Sequence, residues 1–552
     1  MLLALGYYLY GRLIERRCVQ PDPEAVTPAL KHRDGMDYEP ARPLMLFGHH
    51  FTNIAGAGPI VGPVVAVAYF GWASTLAWVI LGTIFIGGVP DYLALMVSAR
   101  NDGRAISDIA GRLVGRRAAH VMGLFLWLAL ILIIAVFAIL AAQTLINAPA
   151  VVIPNAGLLV AAMVMGAAIY RWRQPLWLVS VVAIVALAAL LWAGYAWPLT
   201  MPAALGDPFQ VWFAILILYC LLASVLPIWF LEQPRDYLSS ILMVFGIGVG
   251  FVAIFGANAP VNAPAHVDLV SAKGGPIWPM LFILVACGAV SGFHALVASG
   301  TTVKQLHNER QGLAIGYGSM VLEAAQAVSV IFLIGAGLYW AGDHLAPDGG
   351  SLNFADVMAA ETGGGPAVAF IRGFASLTDR GVPLLGFEAG LLLAAIVLNA
   401  TLLDTLDTCT RLGRFVLTET FGDRLRPLHN RWLASIITLL PAAYLGLSGA
   451  WEAIWPVFGA ANQLIGALAF LVIAVYMIGV GRPTSYIIWP GLFVLVTTVA
   501  ALIYQAWGFV FGEAPNYVLA GVCIVLIALA AYVSTEAIPR LRRGREEPVA
   551  AK

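Results

Sequence analysis

Charge is scarce in this chain. Only 11% of its 552 residues are Asp, Glu, Lys or Arg, and the 30 acidic and 30 basic side chains cancel. No basic excess is available to attract a nucleic-acid backbone. Cysteine is scarce too: five residues, at 18, 220, 287, 409 and 523, with no CxxC pair and no even framework to staple a small fold. They read as small apolar fillers. No HExxH, GxSxG or GxxxxGK[ST] occurs, which argues against hydrolytic chemistry and ATP-driven pumping. A metal site needs ligands at workable spacing. None occurs within one helix, so a site assembled from His49, His294 and Asp91 is not read, and no resident metal or cofactor is expected. The start, MLLALGYYLYGRLIERR, lacks a basic leader and a small-residue cleavage site, so no cleaved signal peptide is read. The longest polar stretch, 342–383, is too short for a soluble catalytic domain. It is expected as an extracytoplasmic loop, either a lid or a plain connector.

What is present is apolar. Hydrophobic residues make up 61% of the chain and mean hydropathy is +0.87. That composition belongs to a polytopic helical membrane protein. Apolar spans fall at 1–14, 47–70, 72–99, 119–147, 156–170, 176–198, 209–231, 238–256, 277–299, 313–341, 384–410, 432–447, 452–477, 484–508 and 516–538. The first is short: Leu2–Ile14 rises only about 20 Å as helix, against about 30 Å of hydrocarbon. Alternate crossings place the Lys and Arg residues on one side, leaving only Lys273, Arg372 and Arg380 of the 30 outside. By the positive-inside rule the N-terminus lies outside and the C-terminus in the cytoplasm.

The chain is organised around Gly48–Pro63, GHHFTNIAGAGPIVGP. Gly56, Gly58, Pro59, Gly62 and Pro63 interrupt an apolar span. Proline removes an N–H and clashes with the carbonyl four residues back. Broken helix at membrane depth survives only where it is buried in protein or lines a cavity, and transporters bind cargo at such breaks. A kink that merely packs helices closely is the alternative. The span 209–231 lies five helices on, runs in the opposite direction and carries Ser224 and Pro227. Together these predict a five-plus-five inverted repeat over 47–410, preceded by an N-terminal helix and basic loop (1–46) and followed by C-terminal helices (411–552).

Ionisable groups within spans need a partner, water or a function. Asp91, His294, Glu323 and Asp404 are the candidates for ion coupling. Each has a plainer reading. Glu323 and Gln326 share a face and suit an interhelical hydrogen bond. Asp404 and Asp407, three residues apart, suit pairing with Arg411 and Arg414. His294 suits a satisfied structural position. His49 and His50 fall near the interface, where solvation or helix capping competes with ligand binding. Half-helix N-termini and bare glycine N–H groups favour a carboxylate. Substrate contacts are therefore expected at Asn53, Gly56 and Gly58, with Ser291, Asn462 and Gln463 completing the pocket.

Several long stretches resemble the carbon starvation protein A (CstA) family of inner-membrane proteins: HHFTNIAGAGPIVGP (49–63), LPIWFLEQPRDYLSS (226–240), CGAVSGFHALVASGTT (287–302), GGSLNFADVMA (349–359), NATLLDTLDTCTRLGRF (399–415) and WPVFGAANQLIGAL (455–468). The resemblance implies secondary active uptake of small peptides, and in some members pyruvate, when carbon is scarce. It also implies a fold related to the amino acid–polyamine–organocation superfamily. The first helix is shorter here than is usual in the family. A proton or sodium gradient is the expected driving force. The alternatives are a channel, and an ion-coupled transporter of another small carboxylate or an amino acid.

Overall fold

A computed structural model describes residues 1–113, 115–359, 364–448, 451–512 and 515–543. Arg545 and Lys552, counted on the cytoplasmic side above, lie outside the described residues, as does Gly363 of the polar loop. The chain is a helical membrane protein. Among the described residues, twelve helices are long and apolar enough to cross a bilayer, and the only sheet is a hairpin pairing Val270–Ser271 with Gly275–Pro276.

In chain order, α1 covers 2–19 and includes π-helical turns at Tyr7–Gly11 and Glu15–Val19. It is longer than the 1–14 span, and its end is packed inside, with Ile14, Cys18 and Val19 fully buried. Next come α2a (Pro43–Ile54) and α2b (Gly58–Phe70), then α3 (Trp72–Ala99), α4 (Arg117–Asn147), α5 (Pro149–Arg171), α6 (Leu176–Ala196), α7 (Pro208–Val225) and α8 (Glu232–Ala257). After the hairpin follow α9a (Ile277–Leu284), α9b (Gly292–Gly300) and α10 (Glu309–Gly337). The last group is α11 (Gly365–Gly381), α12 (Gly386–Phe421), α13 (Arg431–Leu447), α14 (Trp451–Gly479), α15 (Ser485–Phe511) and α16 (Tyr517–Arg543).

The first break stands where the glycines and prolines predict it, at 55–57. Pro59 follows at the first turn of α2b, a position that needs no N–H. A second break, 285–291, divides the span expected to run unbroken over 277–299. No proline marks it. Its residues are small, and Ser291 is extended at the head of α9b. The partner of the first interrupted helix is therefore α9. The expected partner, α7, is continuous to Val225. The two interrupted helices lie antiparallel, α2a on α9b and α2b on α9a. Their approach is close: a Cβ on Gly62 would meet the Leu284 carbonyl at 2.6 Å.

Other boundaries move for local reasons. The stretch 231–237, read as the end of a span and its turn, opens α8 instead. The predicted 384–410 helix continues to Phe421, because Arg411 and Arg414 find buried partners and need no exit to water. The polar loop 342–383 holds a short helix, Phe354–Met358, and the half-apolar α11. Alpha11 packs against α2b, α8, α10 and α12.

Burial separates core from rim. The apolar window of Pro43–Phe70 is 89% buried, whereas that of Leu176–Ala196 is 22% buried. Alpha2, α3, α4, α12 and α14 are interior, and α6, α15 and α16 face outward.

Candidate functional site

Three polar groups surround the two breaks. The first is the junction itself. The N-termini of α2b, at Gly58, and of α9b, at Gly292, both point into it, as do the C-termini of α2a and α9a. N-terminal N–H groups favour negative charge. Gly58, Leu284, Cys287, Phe458, Gly459 and Asn462 line a small void of about 10 Å³ there, room for about one water. That is far below the roughly 300 Å³ of small-molecule sites, so the junction is closed in this conformation. A Cβ on Gly58 would collide with the Cys287 side chain, so only glycine lets the two breaks approach this closely. Asn462 from α14 ties the second break together. Its Oδ1 accepts from the Phe293 N–H at 2.8 Å and from the Ser291 hydroxyl at 3.2 Å. Its Nδ2 donates toward Ser291 Oγ and Cys287 Sγ.

The second group sits where α3, α9b and α10 meet. His294 Nδ1 lies 2.9 Å from Asp91 Oδ2, and its Nε2 lies 3.3 Å from Glu323 Oε2. All three side chains are fully buried. The second contact is within ion-pair distance but off line for a hydrogen bond. Both Glu323 oxygens, Asp91 Oδ1 and Gln326 Oε1 are left without a hydrogen-bond partner. Gly316 lets α10 close on α3, since a Cβ there would meet the Tyr92 backbone at 2.7 Å. Asp91 and Glu323 are also electrostatic neighbours of Cys287, on the wall of that void.

The third group is built on Arg235 near the start of α8. Its guanidinium contacts three carboxyls: Asp236 at 2.5 Å, Asp404 at 2.7 Å, and Asp407. Tyr219 of α7 also meets Arg235 and donates to Asp407 at 2.9 Å. Asp236 Oδ2 faces His49 Nδ1 at 2.6 Å and accepts from Asn53 at 2.8 Å. One fixed positive charge thus serves three carboxyl groups. Beyond it, Arg411 bonds Glu232 and Asp37, and Arg414 bonds Asp37. Asp37 belongs to the 20–42 segment that crosses this end of the bundle. Burial pushes its carboxyl up, but the guanidinium groups of Arg414 and Arg411 more than offset this and hold it well below the ordinary carboxylate range. Nearby, burial pushes the Lys304 ammonium down from its ordinary value, although Glu419 stands 3.7 Å away.

The expected residues therefore divide. Gly58, Ser291 and Asn462 meet at the junction. Gly56 packs against Thr405 and Phe137. Asn53 belongs to the Arg235 group. Gln463 turns away, donating to the Phe282 carbonyl and accepting from Thr498 of α15. Asp91, His294 and Glu323 come together, while Asp404 lies with Arg235. Asp404 and Asp407 do not pair with Arg411 and Arg414, whose guanidinium groups reach Glu232 and Asp37 instead. Glu323 approaches His294 across the helix interface, but no interhelical hydrogen bond reaches its oxygens or Gln326 Oε1. His49 and His50 are fully buried, not solvated at an interface. Sequence reasoning missed Arg235, Asp236 and Glu232. Their available signal was Gln233-Pro234-Arg235, a proline one turn into a helix with a charge behind it.

The profile of the family described as carbon starvation protein CstA matches residues 1–347 and 351–501. A peptide transporter CstA of Mycobacterium tuberculosis (strain ATCC 25618 / H37Rv) is 33% identical, over 93% of this chain and 74% of its own length. The pyruvate/proton symporter BtsT of Escherichia coli (strain K12) is 30% identical, over 90% of this chain and 79% of its own. Among solved structures, a manganese transporter of Eremococcus coleocola superposes with a TM-score of 0.52 at 11% identity, over 93% of this chain and 99% of that one. That likeness is one of fold alone.

Proposed function

This chain belongs to the carbon starvation protein CstA family, and we propose that it imports pyruvate or short peptides across the cytoplasmic membrane by proton-coupled secondary transport. The observation that carries the reading is the meeting of two interrupted antiparallel helices at a closed junction, with a buried Asp–His–Glu group beside it. The N-terminus is outside and the C-terminus cytoplasmic, by the distribution of basic residues. Extracytoplasmic solute reaches the junction past α2b and α9a, and leaves past α2a and α9b.

The substrate carboxylate binds the N-terminal N–H groups of α2b and α9b. In the present conformation the Asn462 carbonyl oxygen occupies the Phe293 N–H and the Ser291 hydroxyl. These are donors an incoming carboxylate would share, so Asn462 acts as a placeholder that yields to cargo. Gly58 and Gly56 let Cys287, Thr405 and Phe137 close on the junction, which opens for cargo as the half-helices move. Coupling follows from charge. A carboxylate entering beside Asp91 and Glu323 meets like charge in a poorly screened interior, where such repulsion is on the order of a few kcal/mol. A proton bound between Asp91, His294 and Glu323 removes it. Anion and proton therefore bind together, and the net reaction is electrically balanced for a monocarboxylate. None of this calls for bond cleavage, so the function is transport rather than catalysis.

The test is uptake of labelled pyruvate and a labelled dipeptide into proteoliposomes under imposed proton or sodium gradients. Wild type is expected to accumulate at least one of them against its gradient when protons are the driver. Gly58→Leu is expected to abolish that uptake. Retained uptake of both solutes by the variant defeats the site. Accumulation driven only by sodium defeats proton coupling, and conduction without accumulation indicates a channel.

A further inference from the structure

We propose that Glu323 and Gln326 of α10 bind the amino-terminal ammonium of a short peptide, so that the junction recognises both charged ends of its cargo. This rests on the transport reading above and names the solute feature that selects a peptide over pyruvate. Glu323 and Gln326 are three residues apart and share a side of α10. Glu323 is fully buried and Gln326 is 3% exposed. Neither Glu323 oxygen has a hydrogen-bond partner, and neither does Gln326 Oε1. Buried polar oxygens are almost always paired. Here three of them stand open on one helix. A single proton brings one donor with its charge. An ammonium brings three N–H donors with the same charge, which is the complement of these three oxygens.

This side of α10 lies against the second break. Met320, Glu323 and Ala327 follow the i, i+3, i+7 spacing of one helix face. A Cβ on Gly288, within the break, would meet Ala327 at 3.1 Å and Pro59 of α2b at 3.6 Å. A Cβ on Gly87 of α3 would meet both Met320 and the Ala289 carbonyl. Glu323 lies between these two contacts. It also stands 3.3 Å from His294 Nε2, and His294 is in the first turn of α9b, two residues beyond Gly292. The Phe293 N–H and the Ser291 hydroxyl, the donors that await a carboxylate, belong to that same turn. The head of α9b therefore carries the donors, and the next residue, His294, touches the acceptors of α10.

A peptide thus meets a site with two poles, donors for its carboxylate and acceptors for its ammonium. Pyruvate has no ammonium and fills the donor pole alone. The ammonium does not displace the coupling proton, because Asp91 holds the other ring nitrogen of His294 at 2.9 Å. The proton keeps the Asp91 side of the imidazole while the ammonium takes Glu323 and Gln326. With room for about one water at the junction in this conformation, both poles become available to cargo as the half-helices part.

The experiment measures inhibition of labelled-solute exchange in proteoliposomes at equal pH, with whichever of pyruvate and dialanine the wild type carries. Exchange at equal pH needs no net proton movement, so a coupling defect does not hide a binding defect. The two inhibitors are unlabelled dialanine and N-propionyl-alanine, which is dialanine without its amino group. Wild type is expected to bind dialanine at least about tenfold more tightly, in keeping with hydrogen bonds to a charged group. Gln326→Leu and Glu323→Gln are each expected to shrink that preference several-fold. Equal inhibition by the two compounds in wild type overturns the inference. A merely structural role weakens both inhibitors together and leaves the preference in place, which overturns it as well. Should Gln326→Leu fail to fold, Gln326→Glu keeps the acceptors and is expected to retain the preference; its loss there counts against the assignment. A wild type that exchanges pyruvate but ignores dialanine overturns this inference alone. A wild type that carries neither solute overturns the transport reading with it.

Discussion

The Arg235 group and the His294 group are both buried at the breaks, yet they are built on different cations. Arginine stays protonated at any working pH, so the Arg235 group has a fixed charge at its centre. Three carboxyls around one guanidinium hold α7, α8 and α12 in register, with α2a attached through His49 and Asn53. The His294 group has no fixed cation. Two carboxyls face one imidazole, and their charge is set entirely by bound protons. On the proposed mechanism, one group is an anchor with spare acceptor capacity and the other is a switch. Buried ionisable groups with incomplete pairing mark function more often than packing does.

Removing the anchor's cation has the largest expected effect. Arg235→Met leaves three carboxyls facing one another without it. Breaking a buried pair in this way costs about 3–5 kcal/mol. The variant is expected to be lost from the membrane fraction or to elute as aggregate in detergent. A well-folded Arg235→Met protein of wild-type thermal stability would collapse the distinction between the groups.

Neutralising the switch should do the reverse. Glu323→Gln and Asp91→Asn remove charge from a group that has no fixed counterion, so folding is retained. Proton-driven accumulation is expected to fall at least about tenfold. Its pH dependence should flatten, because the group that loads the proton is fixed in a neutral form. Unchanged driven uptake by both variants would move the coupling site elsewhere.

Asp404→Asn sharpens the comparison, because it places the same chemical change in the anchor. Arg235 keeps Asp236 and Asp407, so the fold survives. One acceptor is lost from a group that retains two. A drop of about twofold to fivefold in driven uptake is expected, smaller than that of Glu323→Gln. A larger loss than Glu323→Gln would identify Asp404 as the loading site.

The two breaks show what the sequence carries and what it does not. Gly56-Ala57-Gly58-Pro59 states its interruption locally, since proline and glycine oppose helix wherever they stand. The second break is written in Cys287, Gly288, Ser291 and Gly292, residues that a buried helix tolerates. What unwinds it is tertiary: Asn462 of α14 binds the Phe293 N–H and the Ser291 hydroxyl. Long-range contacts of this kind leave no periodic trace. The same holds for Arg235. Its sequence neighbourhood looks like a polar turn, and only the aspartates of α12, more than 160 residues on, make it a core residue. Asp91, His294 and Glu323 were legible one by one, because charge within an apolar span is conspicuous. Their convergence was not. Inverted-repeat spacing was a weaker guide: counting five helices from α2 led to α7, whereas the interrupted partner is α9.

The smallest expected effect lies at the edge of the anchor. Asp37→Asn weakens the contacts of the 20–42 segment to Arg411 and Arg414, at 2.6 and 2.8 Å. Glu232 still pairs with Arg411, whereas Arg414 loses its carboxylate partner and keeps only the amide oxygen of the substituted side chain as acceptor. A loss of about 1–2 kcal/mol is expected, within the range for hydrogen bonds to charged groups. The pH sign separates this contact from the switch. The folded-state value of Asp37 is depressed, so its stabilisation is fully present above the ordinary carboxylate value and is lost as pH falls through the depressed one. The stability gap between wild type and Asp37→Asn, read by thermal unfolding in detergent, should stay flat from about pH 5 to 8 and narrow only below about pH 4. A gap that instead changed across the neutral range would mean that the segment responds to the protons the switch exchanges, and that the two groups are not independent at this end of the molecule.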